Sequence, residues 1–247
     1  MLITIAGYGY VGKAYEKVFE GKHVINIYDP PLGYNRFQNP DAVIICVSTP
    51  EGAYGECDVK NVLDVLQNVK QDTPVLLKST ISVEGWNLIK DKYPKHDITF
   101  SPEFLRAKHY LEDVMSQEIL ISGSGVEFWH KHLQHALPDN KITWCGVYEL
   151  IIAKCFRNAY LATKVAFFNQ MFDYCNAIKC CPNQAIDLVT MDDRIGTSHS
   201  KITEERGYGG HCFPKDMNAI KTSARYNKVD LSLIEQAIDY NKKIRST

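Results

Sequence analysis

A doubly wound, parallel α/β domain followed by an all-helical domain is what this sequence predicts, and three observations carry the expectation. A GxGxxG stands where an apolar run meets a helical pattern, further apolar runs then alternate with helices, and residues 147–177 contain neither proline nor glycine. The expected division is therefore residues 1–146 for the α/β part and 147–247 for a helical part built on one long central helix.

The chain opens on the apolar run Leu2–Ala6, followed by Gly7-Tyr8-Gly9-Tyr10-Val11-Gly12. In such a turn the first glycine makes the tight bend, the second clears space for a pyrophosphate and the third lets the helix pack closely. The amides at the helix start, Tyr10 and Val11 among them, then meet the anion. A second apolar strand, Val24–Tyr28, ends at Asp29, about twenty residues beyond the glycines. A carboxylate there accepts from a ribose 2′-hydroxyl and repels a 2′-phosphate. The order strand, turn, helix, strand, acid thus predicts a Rossmann domain that takes NAD rather than NADP.

After a loop over 30–40, rich in proline, glycine and asparagine, the run Ala42–Val47 reads as a strand buried on both faces and ends in Ser48-Thr49-Pro50. Val62, Leu63, Val65, Leu66 and Val69 recur at helical spacing, leading to a strand Val75–Leu77 that ends in Lys78-Ser79-Thr80. A helix over Gly85–Tyr93 precedes the strand Ile98–Phe100, which ends in Ser101-Pro102-Glu103, and Ile119–Ile121 is expected as the last strand. Three strands thereby finish in hydroxyl or acidic residues at their carboxyl ends, where open parallel sheets bind ligands.

The long helix over Val147–Ala177 carries Lys154 and Asn158 four residues apart, hence on one face, with Asn169 adding to its polar content. The plainer reading of Lys154 is a side chain that snorkels to solvent. Beyond come a helical segment Asn183–Thr190, the turn Asp192–Gly196, a loop rich in serine, threonine and lysine, and a last amphipathic helix Leu231–Ile244. Before that helix stands Gly209-Gly210-His211-Cys212-Phe213-Pro214-Lys215-Asp216. A thiol attacks only as thiolate, a neighbouring cation favours that form, and glycines allow a substrate to approach. Cys212 is the candidate nucleophile, with an inert buried cysteine as the plainer alternative.

Bulk properties exclude other classes. The net charge of −1 implies no polyanionic partner, so nucleic acid is not expected, and no run of eighteen apolar residues or basic leader suggests a membrane span or signal peptide. The eight cysteines lack paired CxxC spacing, which points to reduced thiols in a cytoplasm and to no metal site. Adjacent Cys180 and Cys181 allow a redox or metal role, against the simpler reading of a helix-end loop.

Taken together, GYGYVG, VIICVSTP, KSTIS, SPEFLR, AKCFRNAYLATKVAFFNQ, DDRIG and GYGGHCFPKD occur in this order across essentially the whole chain. In this it resembles the UDP-glucose/GDP-mannose dehydrogenase family. The resemblance implies a four-electron oxidation of a nucleotide-sugar primary alcohol to a carboxylate, with two NAD+ and one cysteine, UDP-glucose first among substrates and GDP-mannose second. It implies that Cys212 carries a thiohemiacetal and then a thioester, that Lys154 and Asn158 stabilise oxyanions, and that Asp216 positions water or relays a proton. Thr80 and Glu103 line the same pocket, Thr49 and Thr80 contact NAD, and Lys215 faces the cofactor. Phe104, Leu105 and Arg106 of SPEFLR, and residues 201–205 with Gly209, embrace the sugar, and the central helix forms a homodimer.

Two departures from the family pattern stand out. After Phe104-Leu105-Arg106 this chain has Ala107-Lys108, where members commonly carry a second glutamate, so any carboxylate work in that loop falls to Glu103. The typical member also continues into a second Rossmann-like domain that holds the nucleotide half of the substrate, so this chain reads as a short form expected to bind UDP-sugars weakly. Two other classes compete with the enzyme reading: a non-catalytic NAD-binding remnant or partner subunit, and a hydroxyacid dehydrogenase in which Cys212 is idle.

Overall fold

The computed structural model describes residues 1–245; Ser246 and Thr247, which close the expected helical domain, lie outside the described residues. The chain divides into two compact units, one formed by Met1–Pro50 with Cys57–Lys154, the other by Glu51–Glu56 with the chain from Cys155 onward. The division falls inside the long helix rather than at its start, and the second unit takes a short segment from early in the chain.

In the first unit, strands β1 (Leu2–Ala6), β2 (Val24–Tyr28), β3 (Ala42–Ile45), β4 (Val75–Leu77), β5 (Ile98–Phe100), β6 (Ile119–Gly123) and β7 (Ile142–Trp144) form one sheet in the order β2-β1-β3-β4-β5-β6-β7. The first five are parallel, β6 runs antiparallel to β5, and β7 runs parallel to β6. The sheet is therefore mostly, not wholly, parallel, and Ile119–Ile121 is not its last strand. β7 escaped the sequence reading because none of its three residues is fully buried, so it lacks an apolar run.

Helices cover both faces of that sheet. On one side α2 (Lys60–Leu66), α3 (Val83–Lys92) and the start of α6 (Val147–Ala177) pack Val62, Leu66, Trp86, Ile89, Leu150 and Ile151 against Val43, Ile45, Val75 and Leu77. On the other, α1 (Tyr10–Phe19), α4 (Tyr110–Ser116) and α5 (Val126–Ala136) pack Tyr15, Phe19, Val114, Trp129 and Leu133 against Ile3, Ile5, Ile44 and Leu76. Alternate residues of β3 and β4 enter opposite cores, which is why both strands read as unbroken apolar runs. β1 lies between β2 and β3, so the strand order reverses there and opens a crevice at the carboxyl ends of β1 and β3.

The regular structure of the second unit is helical. It comprises the remainder of α6, α7 (Pro182–Thr190), α8 (Cys212–Tyr226) and α9 (Ser232–Arg245). Ala159, Ala162 and Ala166 make a stripe of small side chains along α6, against which Tyr208, Met217, Ile234 and Ile238 pack. Among the described residues no helix is long and apolar enough to cross a membrane.

Candidate active site

The glycine turn between β1 and α1 has one physical reason per glycine. Gly7 has φ +92°, and a Cβ on it would lie 2.6 Å from the Cys46 carbonyl carbon and the Val47 nitrogen at the end of β3. A Cβ on Gly12 would lie 2.2 Å from the Gly7 carbonyl oxygen, so close packing of α1 onto the turn needs glycine there. Gly9, by contrast, would meet nothing within 4 Å. Open space at the second glycine, directly before the helix, is what a pyrophosphate requires. The first-turn amides of Tyr10, Val11 and Gly12 have no acceptors within the helix, and no acidic side chain occupies that turn to compete for them.

Asp29 closes this cradle. Its Oδ2 accepts from the Tyr8 amide at 2.7 Å, which brings the end of β2 against the glycine turn. Its backbone exchanges hydrogen bonds with Tyr34 at 2.9 and 3.1 Å, fixing the loop that follows. The Tyr8 hydroxyl donates to the Glu16 carboxylate, and that bond is the main reason its pKa is pushed up to about 12. At the ends of β3 and β4 the buried Thr49 donates its hydroxyl to the Thr80 carbonyl at 2.6 Å, so two expected cofactor contacts are joined. The turn, the helix start and the carboxylate together fit a dinucleotide.

Glu103, beyond β5, is more deeply engaged than its expected place in a substrate pocket suggests. Its Oε1 accepts from the amides of Phe104 (2.8 Å) and Leu105 (3.1 Å) and from Gln117 Nε2 (2.9 Å). Its Oε2 faces Lys78 Nζ at 3.4 Å, and both side chains are almost wholly buried. Lys78 also donates to Ser101 Oγ at 3.0 Å and lies 4.7 Å from the centre of the Tyr15 ring. Burial holds the Lys78 ammonium below its ordinary pKa, while the charge of Glu103 pulls the other way; burial also pushes the Cys46 thiol up. Leu105 belongs to the sheet's core, and Arg106 pairs with Asp113 through Nε and Nη2. Within SPEFLR, then, Glu103 and Leu105 anchor the loop, and Arg106 is tied to α4.

Lys154 is 7 % exposed and does not snorkel to solvent; its Nζ lies 5.3 Å from the centre of the Phe104 ring. One turn further along α6, in the second unit, Asn158 Nδ2 donates to Asp216 Oδ2 at 2.6 Å. Asp216 is 1 % exposed, and its other oxygen lies 3.0 Å from Lys215 Nζ. Lys215 is thus engaged with the carboxylate beside it. Cys212 is the first residue of α8 and is exposed, and Asp216 follows four residues later on the same helical face.

The loop before Cys212 is held by residues that carry no motif of their own. Asn241 of α9 accepts from the Tyr208 amide at 2.7 Å and donates to the Tyr208 carbonyl at 3.0 Å. Asn169 Oδ1 accepts from Arg206 Nε (2.8 Å) and the Gly207 amide (3.1 Å), so the polar residue noticed on α6 serves this loop. Gly209 leaves room for the Arg245 guanidinium, which would lie 3.0 Å from a Cβ there. Gly210 has φ +75° with open space around it. Lys78, Asn241 and Arg245 were missed because nothing in their sequence spacing distinguishes them from surface residues; for Lys78 the only signal was a cation directly after a buried strand.

Both units match known domains. Residues 33–133 match the NAD binding domain, and residues 150–243 the central domain, of the UDP-glucose/GDP-mannose dehydrogenase family. UDP-glucose 6-dehydrogenase of Rickettsia prowazekii is 30% identical over 230 residues, covering 88% of this chain and 51% of that protein. The chain spans about half the length of the curated relatives it matches. Among solved structures, a UDP-glucose dehydrogenase from Pyrobaculum islandicum superposes with a TM-score of 0.83 at 20% identity, over 98% of this chain and 68% of that one. UDP-D-ManNAc dehydrogenase from Pyrococcus horikoshii gives 0.83 at 18% identity, over 99% and 69%. NAD is the dinucleotide that the first unit takes. With its glycine cradle, its helical second unit and both matched domains in sequence order, the chain belongs to the UDP-glucose/GDP-mannose dehydrogenase family.

Proposed function

We propose that the chain carries out the NAD-dependent four-electron oxidation of the C6 alcohol of a nucleotide sugar to the carboxylate, with UDP-glucose as substrate and UDP-glucuronate as product. The observation that carries this reading is Cys212 exposed at the first position of α8, with Asp216 on the same face held by Asn158 and Lys215. A two-electron dehydrogenase has no use for a thiol there. NAD+ supplies the hydride acceptor for both oxidations.

In this reading the Cys212 thiolate adds to the carbonyl carbon of the aldehyde, forming a C–S bond as the carbonyl π electrons move to oxygen. The oxyanion that results is met by the Asn158 amide and the Lys154 ammonium. After the second oxidation the same sulfur is the leaving group: water adds to the thioester carbon, its proton passing to Asp216, and the C–S bond breaks to return the thiolate. Asp216 suits that task because Asn158 and Lys215 fix both of its oxygens. Glu103 acts by holding the amides of Phe104 and Leu105 in place, with Thr49, Thr80 and Asp29 serving NAD.

We also read the active form as a homodimer built on α6, in the cytoplasm, since all eight cysteines are free thiols. Ile152, Phe156, Tyr160, Phe167 and Tyr174 recur every four or seven residues along that helix, and all are exposed. Light scattering would measure the mass. For the reaction, NADH and acid are counted per UDP-glucose consumed. Two NADH and one acid are expected, with Cys212→Ser losing the acid; a single NADH with aldehyde as the end product would return the chain to the hydroxyacid-dehydrogenase class. GDP-mannose in parallel decides the nucleotide.

A further inference from the structure

The carboxyl end of α6 brings two thiols together by backbone geometry. Lys179 adopts φ +60°, its amide donates to the Asn176 carbonyl at 3.1 Å, and the Cys180 amide donates to the Cys175 carbonyl at 3.0 Å. This pair of bonds around a left-handed residue is the Schellman motif, in which the side chains at the two ends of the longer bond meet across the helix terminus. Apolar residues usually fill those places. Here both are cysteine, standing at the two ends of the longer bond. Cys175 is 4 % exposed, whereas Cys180 and its neighbour Cys181 are exposed.

We propose that Cys175 and Cys180 are a reversible dithiol–disulfide site, oxidised by exchange with a low-molecular-weight disulfide of the glutathione type. The Cys180 thiolate attacks one sulfur of that disulfide; the S–S bond breaks, one small thiolate leaves, and Cys180 holds the other half as a mixed disulfide. The Cys175 thiolate then attacks the Cys180 sulfur and expels the second small thiol. Two protein thiols lose two electrons and two protons, all of which end on the two small thiols. Burial, and then the neighbouring Cys180, raise the Cys175 thiol above its ordinary pKa, so the exposed partner makes the first attack.

A link between the adjacent Cys180 and Cys181 is disfavoured by geometry. Consecutive Cα atoms lie about 3.8 Å apart across a trans peptide, less than the roughly 4.4–6.8 Å that a disulfide spans. Cys181 also has extended backbone (φ −75°, ψ 109°) and is the N-cap of α7, followed by Pro182. The motif at 175–180 needs no such rearrangement, since its backbone is already closed by hydrogen bonds.

The test uses the full chain incubated with oxidised glutathione, followed by peptide mapping by mass spectrometry. A peptide pair joined through Cys175 and Cys180, two hydrogens lighter than the free peptides and reversed by dithiothreitol, is expected. Cys180→Ser should abolish that link and leave Cys175 reduced, while Cys181→Ser should form it at a rate within about twofold of the unaltered chain. A Cys180–Cys181 link, a lasting glutathione adduct on Cys180, or a Cys175 that stays reduced in the unaltered folded chain would each overturn the proposal.

Discussion

Lys78 and Glu103 form an ion pair inside the first unit, with Nζ 3.4 Å from Oε2 and side chains 2 % and 6 % exposed. Each charge depends on the other, because neither reaches solvent and removal of one leaves the other uncompensated. Loss of one partner in such a pair typically costs about 3–5 kcal/mol. Lys78→Met and Glu103→Gln should each lower unfolding free energy by that order, measured in urea. The double variant should lose less than the two losses combined, since the coupling energy is counted in both singles. Strict additivity would show that the pair contributes nothing as a pair.

The three glycines of the first turn should separate folding from cofactor binding. Gly12→Ala places a methyl group against the Gly7 carbonyl, and overpacking of that kind costs about 1–3 kcal/mol. Gly9→Ala meets no atom and should change stability by less than about 0.5 kcal/mol. It should nonetheless weaken NAD more than tenfold, about 1.4 kcal/mol, because the methyl fills the pyrophosphate space. Thermal melts with and without NAD, together with calorimetric titration, would measure both; undiminished NAD affinity in Gly9→Ala would remove the pyrophosphate from this turn.

Cofactor choice follows from Asp29, which accepts from the Tyr8 amide. Asp29→Asn retains an acceptor for that amide and removes the charge. Preference for NAD over NADP, expected to be at least tenfold in the unaltered chain, about 1.4 kcal/mol, should narrow without loss of stability. Equal binding of the two dinucleotides by the unaltered chain would contradict the role given to this carboxylate.

Stability should fall on the acid side of neutrality through His23 and His132. Their rings stand 5.4 Å apart, and neither nitrogen of His23 has a hydrogen-bond partner. Burial, and then nearby positive charge, hold both below the ordinary histidine pKa. The unfolded chain therefore binds more protons than the folded one once pH drops below about 6.5, so stability is lost as pH falls through that value. His23→Gln with His132→Gln should flatten the melting temperature between pH 7.5 and 5.5. An unchanged slope would assign the acid sensitivity to other groups.

Asn241 should be the residue on which the loop before Cys212 depends. Asn241→Ala leaves the amide and carbonyl of Tyr208 without their partner, on the order of 2–6 kcal/mol for two such groups. Hydrogen exchange at residues 206–210 should accelerate while NAD affinity holds, because the dinucleotide cradle belongs to the other unit.

The parts of this protein that could be read from the sequence are those where backbone and chemistry act locally. Gly7, Gly9 and Gly12 follow from steric limits within one turn, the strands β1, β3, β4 and β5 from short runs buried on two faces, β2 from an apolar run that ends in Asp29, and α6 from a stretch without breakers. β7 could not be read, since its three residues, Ile142-Thr143-Trp144, are part-exposed and make no continuous apolar run. Nor could the reversed direction of β6, which depends on a partner distant in sequence. At the candidate site, Cys212 announces itself by its neighbours, whereas the Lys78–Glu103 pair and the Asn241 clamp exist only once separate elements have met. Glu103 was legible as an acid at a strand end, but not as one whose oxygens are already engaged.

Residues 51–56 give the chain an interleaved topology. Thr222 Oγ1 donates to the Tyr54 carbonyl at 2.9 Å and Asn218 Nδ2 to Glu51 Oε1 at 3.1 Å, so α8 leans on a segment made more than 150 residues earlier. Three peptide junctions, at 50/51, 56/57 and 154/155, therefore join the two units. A protease that nicks α6 at 154/155 generates two polypeptides but not two complete units, because the amino-terminal fragment keeps a piece of the helical one. The fragments should stay associated until denatured, and a helical unit expressed from residue 155 alone should lack a surface that its own sequence cannot supply.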